Sequence, residues 1–312
     1  MTAIKAPPIR IAVVGVGKIA RDEHLPAIAA SPDFTLAAVV DHHDPHVAAP
    51  WFATMDALLD HGPPVDAVVL CTPPQVRYGL AAAAIGHGLH VFLEKPPGAT
   101  LAEVELLRTA AHDRGVSLFA AWHSRFAAGV QPARTWLASR IIRSVRIVWR
   151  EDARVWHPGQ TWIWQAGGLG VFDPGINALS IATAILPHPF FLTRATLLVP
   201  ANRAAPIAAD LVFSDCRQTP ITMDLDWRQT GPQTWDIMVE TDAGRMELTN
   251  GGGVMTVSQG VQHGTDSEYA GLYRRFAALV QTHTSDVDIT PLRHVADAFL
   301  LGQRISVDAF VD

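Results

Sequence analysis

The stretch "IRIAVVGVGKIARDEHLPAI", residues 9–28, joins a short apolar run to a glycine-spaced turn and then to a helix-like segment. Gly15, Gly17 and Ala20 hold the G-x-G-x-x-G/A spacing directly behind the run. Glycines there permit a tight turn and close backbone approach, so a pyrophosphate can rest on the N-terminus of the next helix. Alone, such a spacing is a weak sign; its weight comes from its surroundings.

Those surroundings alternate. "IRIAVVG", "FTLAAVV", "DAVVLCTPP", "HVFLEKP" and "SLFAAWHS" read as strands buried on both faces. Helix-like segments lie between them at 25–30, 76–86 and 101–114, the order of a doubly wound parallel sheet. Asp41 ends the second strand at about the distance where an acidic residue meets the adenosine ribose. A carboxylate pairs with a 2'-hydroxyl and repels a 2'-phosphate, so NAD is expected in preference to NADP. Lys18 could still tolerate the phosphorylated form, while His42 and His43, mostly neutral at pH 7, are poor substitutes for an arginine. The bland alternative is that Asp41 only caps a turn in "DHHDPH", which is rich in turn formers. Thr72-Pro73-Pro74-Gln75 and Glu94-Lys95 follow the third and fourth strands, at the edge where such sheets bind ligands. The expected cofactor contacts are therefore Gly15, Gly17, Lys18, Ile19, Asp41, His42, Thr72, Pro73, Pro74, Gln75, Glu94 and Lys95.

Beyond Arg125 the texture changes. A helical stretch at 130–138 and the strand "SVRIVWRED" lead through a Trp-, Gly- and Pro-rich loop to a helix carrying Asp173. Alternating runs then follow ("TRATLLVP", "AADLVFS", "TMDLDWRQ", "TWDIMVET", "RMELTNGG", "VMTVSQG"), with turn signals that indicate an antiparallel sheet. Amphipathic helices at 268–281 and 291–304 close the chain, the second with Pro291 near its start. The expected organisation is an α/β Rossmann dinucleotide-binding domain over residues 1–124. An α+β domain with a large, mostly antiparallel open sheet follows over 125–312.

Composition narrows the ligand. The chain has 312 residues, 49% hydrophobic and 17% charged, enough for two packed cores and against disorder. Its net charge of −6, with no basic block, argues against nucleic acid. No apolar run approaches the roughly 20 residues of a membrane span, and no basic-then-apolar leader opens the chain, so a cytoplasmic location is expected. Cys71 and Cys216 are the only cysteines, which makes a disulfide framework or thiolate metal site improbable. Histidines and carboxylates lack metal-ligand spacing, and no metal is expected.

"VVGVGKIA", "TPPQ", "EKPPGAT", "WHSRF" and "GGLGVFDPGINALS" resemble the glucose-fructose oxidoreductase and inositol dehydrogenase family along nearly the whole chain. "GKIARDEHLPAI", "WREDARVWHPGQTWIWQAGGLGVFDPGINALS" and "PLRHVADAFLLGQRISVDAF" resemble its branch of bacterial aldose 1-dehydrogenases, which oxidise D-galactose and L-arabinose. The resemblance implies hydride transfer from an anomeric carbon to a nicotinamide, giving a lactone. It also implies a dimer or larger assembly through the open face of the second sheet, and a cis bond between Lys95 and Pro96.

Such an oxidation needs a group that takes the hydroxyl proton. Many relatives carry Asp-x-x-x-His where this chain has Asp173 and Asn177; an amide cannot accept a proton at neutral pH. Asp173 is the expected proton acceptor, alone or in a relay with Lys95, whose charge can stabilise an alkoxide. Asn177, one helical turn on, is expected to orient the substrate. Asp173 before Pro174 also fits a helix cap. Sugars present polar edges and apolar C–H faces. Glu151 and His157 are expected on ring hydroxyls and Trp156 against the ring, with Trp235 completing the wall and His123 facing the same cleft. Trp162 and Trp164 are left undecided between wall and core. Rival readings are a non-catalytic sugar or dinucleotide sensor of the same fold and an inositol or polyol dehydrogenase.

Overall fold

The protein is described by a computed structural model covering residues 7–258, 260–263 and 268–311. It divides into two compact units, residues 1–121 with 269–288, and residues 122–268 with 289–312.

In the first unit the apolar runs form β1 (Ile9–Val14), β2 (Phe34–Val40), β3 (Trp51–Phe52), β4 (Ala67–Leu70), β5 (His90–Leu93) and β6 (Leu118–Ala120). They make one sheet in the order β3-β2-β1-β4-β5-β6, every pair parallel. Strands β4 and β5 are wholly buried, as expected when helices cover both faces. The crossovers carry α1 (Leu25–Ala30), α2 (Met55–His61), α3 (Pro74–Gly86) and α4 (Leu101–Arg114). Helix α4 starts on a reciprocal capping box between Thr100 and Glu103. The expected fifth strand over 117–124 is cut short: only 118–120 pair with β5, and residues 123–126 wind into a 3₁₀ turn.

The second unit holds α5 (Val130–Leu137), β7 (Ile142–Arg150), α6 (Ala153–Trp156), α7 (Phe172–Ile185), β8 (Phe190–Pro200), β9 (Ala208–Asp215), β10 (Pro220–Asp226), β11 (Thr234–Thr241), β12 (Gly244–Thr249), β13 (Val254–Val257) and β14 (Gly260–His263). After α8 (Glu268–Thr282) come α9 (Thr290–Leu301) and β15 (Gln303–Val307). Its sheet runs β14-β13-β12-β11-β7-β10-β9-β8-β15, antiparallel except for β7–β10 and β8–β15. Helix α7 is buried along its length and packs on this sheet, where a Cβ on Gly175 would stand 2.7 Å from Leu225. The last expected helix stops early: Gly302 ends it, and Arg304 belongs to β15.

Helix α8 from Tyr269 onward belongs to the first unit, although the sequence reading assigned it to the second domain. Its apolar face carries Tyr269, Leu272, Tyr273 and Phe276 at helical spacing. Tyr273 and Phe276 pack among Phe34, Phe92 and Phe119, with ring centroids 5.3 to 6.1 Å apart. Beyond the helix, the Asp286 carbonyl accepts the Ala120 N–H at the sheet edge. Among the described residues no helix is long and apolar enough to cross a membrane, and no His, Cys, Asp and Glu group is arranged to hold a metal.

Candidate active site

The glycine turn is fixed by its neighbours. Gly15 sits at φ 85°, and a Cβ there would lie 3.0 Å from both Thr72 Cγ2 and the Thr72 nitrogen. Any larger residue would be strained by both conformation and space. A Cβ on Gly17, by contrast, would meet nothing within 4 Å. Open space above a turn that leads into a helix is what an approaching pyrophosphate requires. Lys18 and Ile19 are exposed beside it, and Lys18 pairs with Asp22 one turn on. Asp41 stands just past β2 and accepts the Val16 N–H on Oδ2 at 2.7 Å, bracing the turn; His42 is exposed. Thr72 Oγ1 is buried beside the turn with no hydrogen-bond partner among the described residues. The space over Gly17, the acid at the strand end and this orphaned hydroxyl all fit a dinucleotide. Gly15→Ala is expected to weaken NADH binding about tenfold, the equivalent of 1–2 kcal/mol of backbone strain, as fluorescence titration would measure.

Two loops at the carboxyl edge of the same sheet are tied by a residue the sequence reading passed over. Arg77, buried on α3, donates to the carbonyls of Thr72, Glu94 and Pro96. The run Thr72-Pro73-Pro74-Gln75 is thereby joined to Glu94 and Lys95; Pro74 starts α3 and Gln75 is exposed. An arginine four residues before Ala81, on one face of an alanine-rich helix, was the available signal. The Lys95–Pro96 bond is cis. Glu94 is 3% exposed. Its carboxylate accepts from Tyr269 Oη at 2.9 Å and from the Lys95 backbone N–H at 2.6 Å, and lies 3.2 Å from His24 Nε2.

In the second unit, β7, α6 and α7 bring three ionisable groups into one line. Glu151 follows β7 and is 2% exposed, its oxygens accepting the indole N–H groups of Trp227 at 3.1 Å and Trp235 at 2.9 Å. His157 lies with Nε2 3.3 Å from Glu151 and Nδ1 3.9 Å from Asp173. The Asp173 carboxylate is buried in the first turn of α7, and Asn177 is half-buried one turn later. Trp235 packs on Trp149 at 5.9 Å and on Trp156 at 5.0 Å, while Trp156 keeps 40% of its surface exposed. The arrangement is a polar edge of two carboxylates and an imidazole beside indole faces.

The helix cap expected of Asp173 is not formed. The first turn begins earlier, with the Asp173 N–H bonded to the Gly170 carbonyl and the Gly175 N–H to that of Val171. The N-cap is Val171, which makes no side-chain cap, so Asp173 lies inside the helix. Nor is the preceding glycine run a loose entry. Gly170 adopts φ 54° with its Cα against the Pro206 carbonyl, where a Cβ would come within 2.3 Å. Trp164 belongs to the core, packed on Trp227 at 4.9 Å and Phe310 at 5.5 Å. His123 lies against Glu268, a contact across 145 residues.

Comparison with known proteins agrees with the fold. Residues 9–121 match the oxidoreductase family described by its NAD-binding Rossmann fold. The chain is 46% identical over 308 residues to the galactose 1-dehydrogenase of Pseudomonas fluorescens, covering 98% of this chain and 99% of that protein. It superposes on the crystal structure of a D-galactose-1-dehydrogenase protein from Rhizobium etli with a TM-score of 0.95 and 54% identity, covering 99% of each chain. A 3-ketoreductase from Actinomadura kijaniata, solved with NADP, shares the fold at a TM-score of 0.82 and 19% identity, over 96% of this chain and 99% of that one. The Rossmann sheet with its glycine turn, the second mixed sheet and this near full-length likeness lead to one assignment: the chain belongs to the glucose-fructose oxidoreductase and inositol dehydrogenase family, and is an NAD(P)-dependent oxidoreductase acting on CH–OH.

Proposed function

We propose that this chain is an aldose 1-dehydrogenase that oxidises the anomeric carbon of D-galactose- and L-arabinose-type sugars to the lactone. The observation that carries the reading is the line Glu151, His157 and Asp173 beside Trp156 and Trp235, all within one unit. A sugar ring has a polar rim and an apolar face, and this site offers matching groups to each. The likeness to two galactose 1-dehydrogenases supports the same substrate class.

In this reading Glu151 and His157 hold ring hydroxyls. Two indole N–H groups fix the Glu151 carboxylate, so it meets the sugar already oriented. Trp156 covers the C–H face, with Trp235 behind it. Asp173 takes the proton of the anomeric hydroxyl, with Lys95 in the relay lending positive charge to the developing alkoxide. Asn177 offers an amide to the neighbouring hydroxyl from the same helix face. The turn from Gly15 to Ile19, Asp41 and the run from Thr72 to Gln75 would hold the dinucleotide, which when bound supplies the hydride acceptor. Asp41 favours NAD.

One face of the nine-stranded sheet carries Arg146, Arg194, Asp210 and Asp224, charges of both signs lining one shallow depression. Such a face suits self-pairing about a two-fold axis, and a homodimer or larger assembly is proposed there. The substrate assignment is tested by mixing purified protein with NAD and a panel of aldoses and following the absorbance of the reduced nicotinamide. Turnover is expected on D-galactose, L-arabinose and D-fucose; its absence on all three would remove the proposal.

A further inference from the structure

Glu94 lies one residue from Lys95, yet it is buried and faces inward. Three groups from different parts of the first unit converge on it. Tyr269 donates its hydroxyl to Oε1 from α8, 175 residues away. His24 approaches the same oxygen through Nε2, and its Nδ1 lies 2.9 Å from the Tyr273 hydroxyl, also on α8. The third group, the Lys95 backbone N–H, is held on Oε2 at 2.6 Å. His24 is 0% exposed and packs edge-on against Tyr269 at 5.0 Å and Phe92 at 5.5 Å.

Placing a charged pair in an apolar interior is costly, and such a pair persists only where its hydrogen bonds are well satisfied. The backbone is adjusted to form it. Residues Ala20–His24 wind as a π-helical turn, a local widening that places both Ala20 and His24 on the buried side. Sheet packing alone needs neither a histidine nor a tyrosine hydroxyl there; phenylalanine and leucine would fill the same volume at lower desolvation cost.

We propose that His24, Tyr269 and Tyr273 act as positioning residues for Lys95, holding the Glu94 carboxylate so that it fixes the Lys95 backbone at the end of β5. The inference rests on the reading of Lys95 as part of the proton relay. The segment after β5 is thus clamped from both sides, by Arg77 on its carbonyls and by Glu94 on its N–H. Loss of one clamp lets the lysine ammonium wander, and a displacement of about 1 Å in a reacting group can cost up to 100-fold in rate. The protonation states agree with the geometry. Burial pulls the His24 imidazole down, but Cys71, Tyr273 and Glu94 together hold it well above the ordinary range. Tyr269 is pushed well above the usual phenol range, by burial first and by Glu94 next, and so remains a donor.

The test uses the full chain with Tyr269→Phe, which removes one hydroxyl and keeps the ring, and Glu94→Gln, which keeps the shape and removes the charge. Lys5, Lys18 and Lys95 are the only lysines, so labelling by an amine-reactive reagent can be read site by site by mass spectrometry. Without cofactor, Lys95 is expected to label about threefold faster relative to Lys18 in Tyr269→Phe, and more in Glu94→Gln. With NAD and D-galactose, kcat should fall about tenfold in Tyr269→Phe while KM for NAD stays within twofold. A ratio of Lys95 to Lys18 labelling equal to that of the unaltered chain in both variants would overturn the proposal, whatever the loss of melting temperature. If the unaltered chain oxidises no aldose, the substrate reading fails; the labelling ratio still decides whether Glu94 holds Lys95.

Discussion

Asp173→Asn is expected to lower kcat for D-galactose oxidation about 10³-fold, within the usual span for losing a general base, with NADH affinity unchanged within twofold. The substitution keeps the shape and hydrogen-bonding reach of the side chain while removing its ability to take a proton. Because Asp173 lies inside the first turn of α7 and the N-cap is Val171, the change removes no cap. In Asp173→Ala, which removes both proton acceptor and any cap, a capping role would cost about 1 kcal/mol of stability with little effect on rate. Thermal unfolding and steady-state kinetics on the same preparation separate the two. A loss of less than tenfold would move the proton acceptor to another group. His157 is the nearest alternative in the same unit, with Nδ1 3.9 Å from Asp173. His157→Gln would then carry the large loss, and the pH–rate profile of Asp173→Asn would retain its original limb.

Features set by neighbours in the chain were legible in the sequence. The five parallel strands follow from runs of Val, Ile and Ala too apolar for a surface, and the glycine turn follows from a spacing whose physical demands are local. The positions of Asp41, the Thr72 run and Lys95 follow from strand ends. Features made by distant pairing were not. The assignment of α8 to the first unit depends on Tyr273 and Phe276 meeting Phe34 and Phe92, which no periodicity announces. Glu94 and Lys95 read from the sequence as two cofactor contacts at a strand end. Only the fold shows Glu94 turned inward to His24 and Tyr269. Local rules also misled where packing overrode them. Asp-Pro is a sound cap signal, but the helix starts two residues early, at Val171, whose N–H is held by the distant Pro206 carbonyl.

Asp41 joins both lessons, since its place was read from the sequence and its second task was not. Replacing it is expected to shift the ratio of kcat/KM for NAD over NADP about 100-fold toward NADP. Losing a charge-assisted hydrogen bond to the ribose costs about 1.5–3 kcal/mol. Relief of repulsion on a 2'-phosphate adds roughly 1 kcal/mol per unit charge at 4 Å in water. The structure adds a complication: Asp41 Oδ2 also accepts the Val16 N–H at 2.7 Å, so any substitution can disturb the turn proposed to hold either cofactor. Two variants separate the tasks. Asp41→Asn keeps an acceptor for Val16 and loses only the charge, so NADP should improve while NAD weakens. Asp41→Ser is too short to reach Val16 in the same way, so both cofactors should bind less tightly while their ratio still moves. Lys18 is present in both variants, 65% exposed and paired with Asp22, and supplies the positive charge that a 2'-phosphate would otherwise lack. A ratio that stays fixed in both variants would reduce Asp41 to a brace for the glycine turn and leave the cofactor preference to the residues around Lys18.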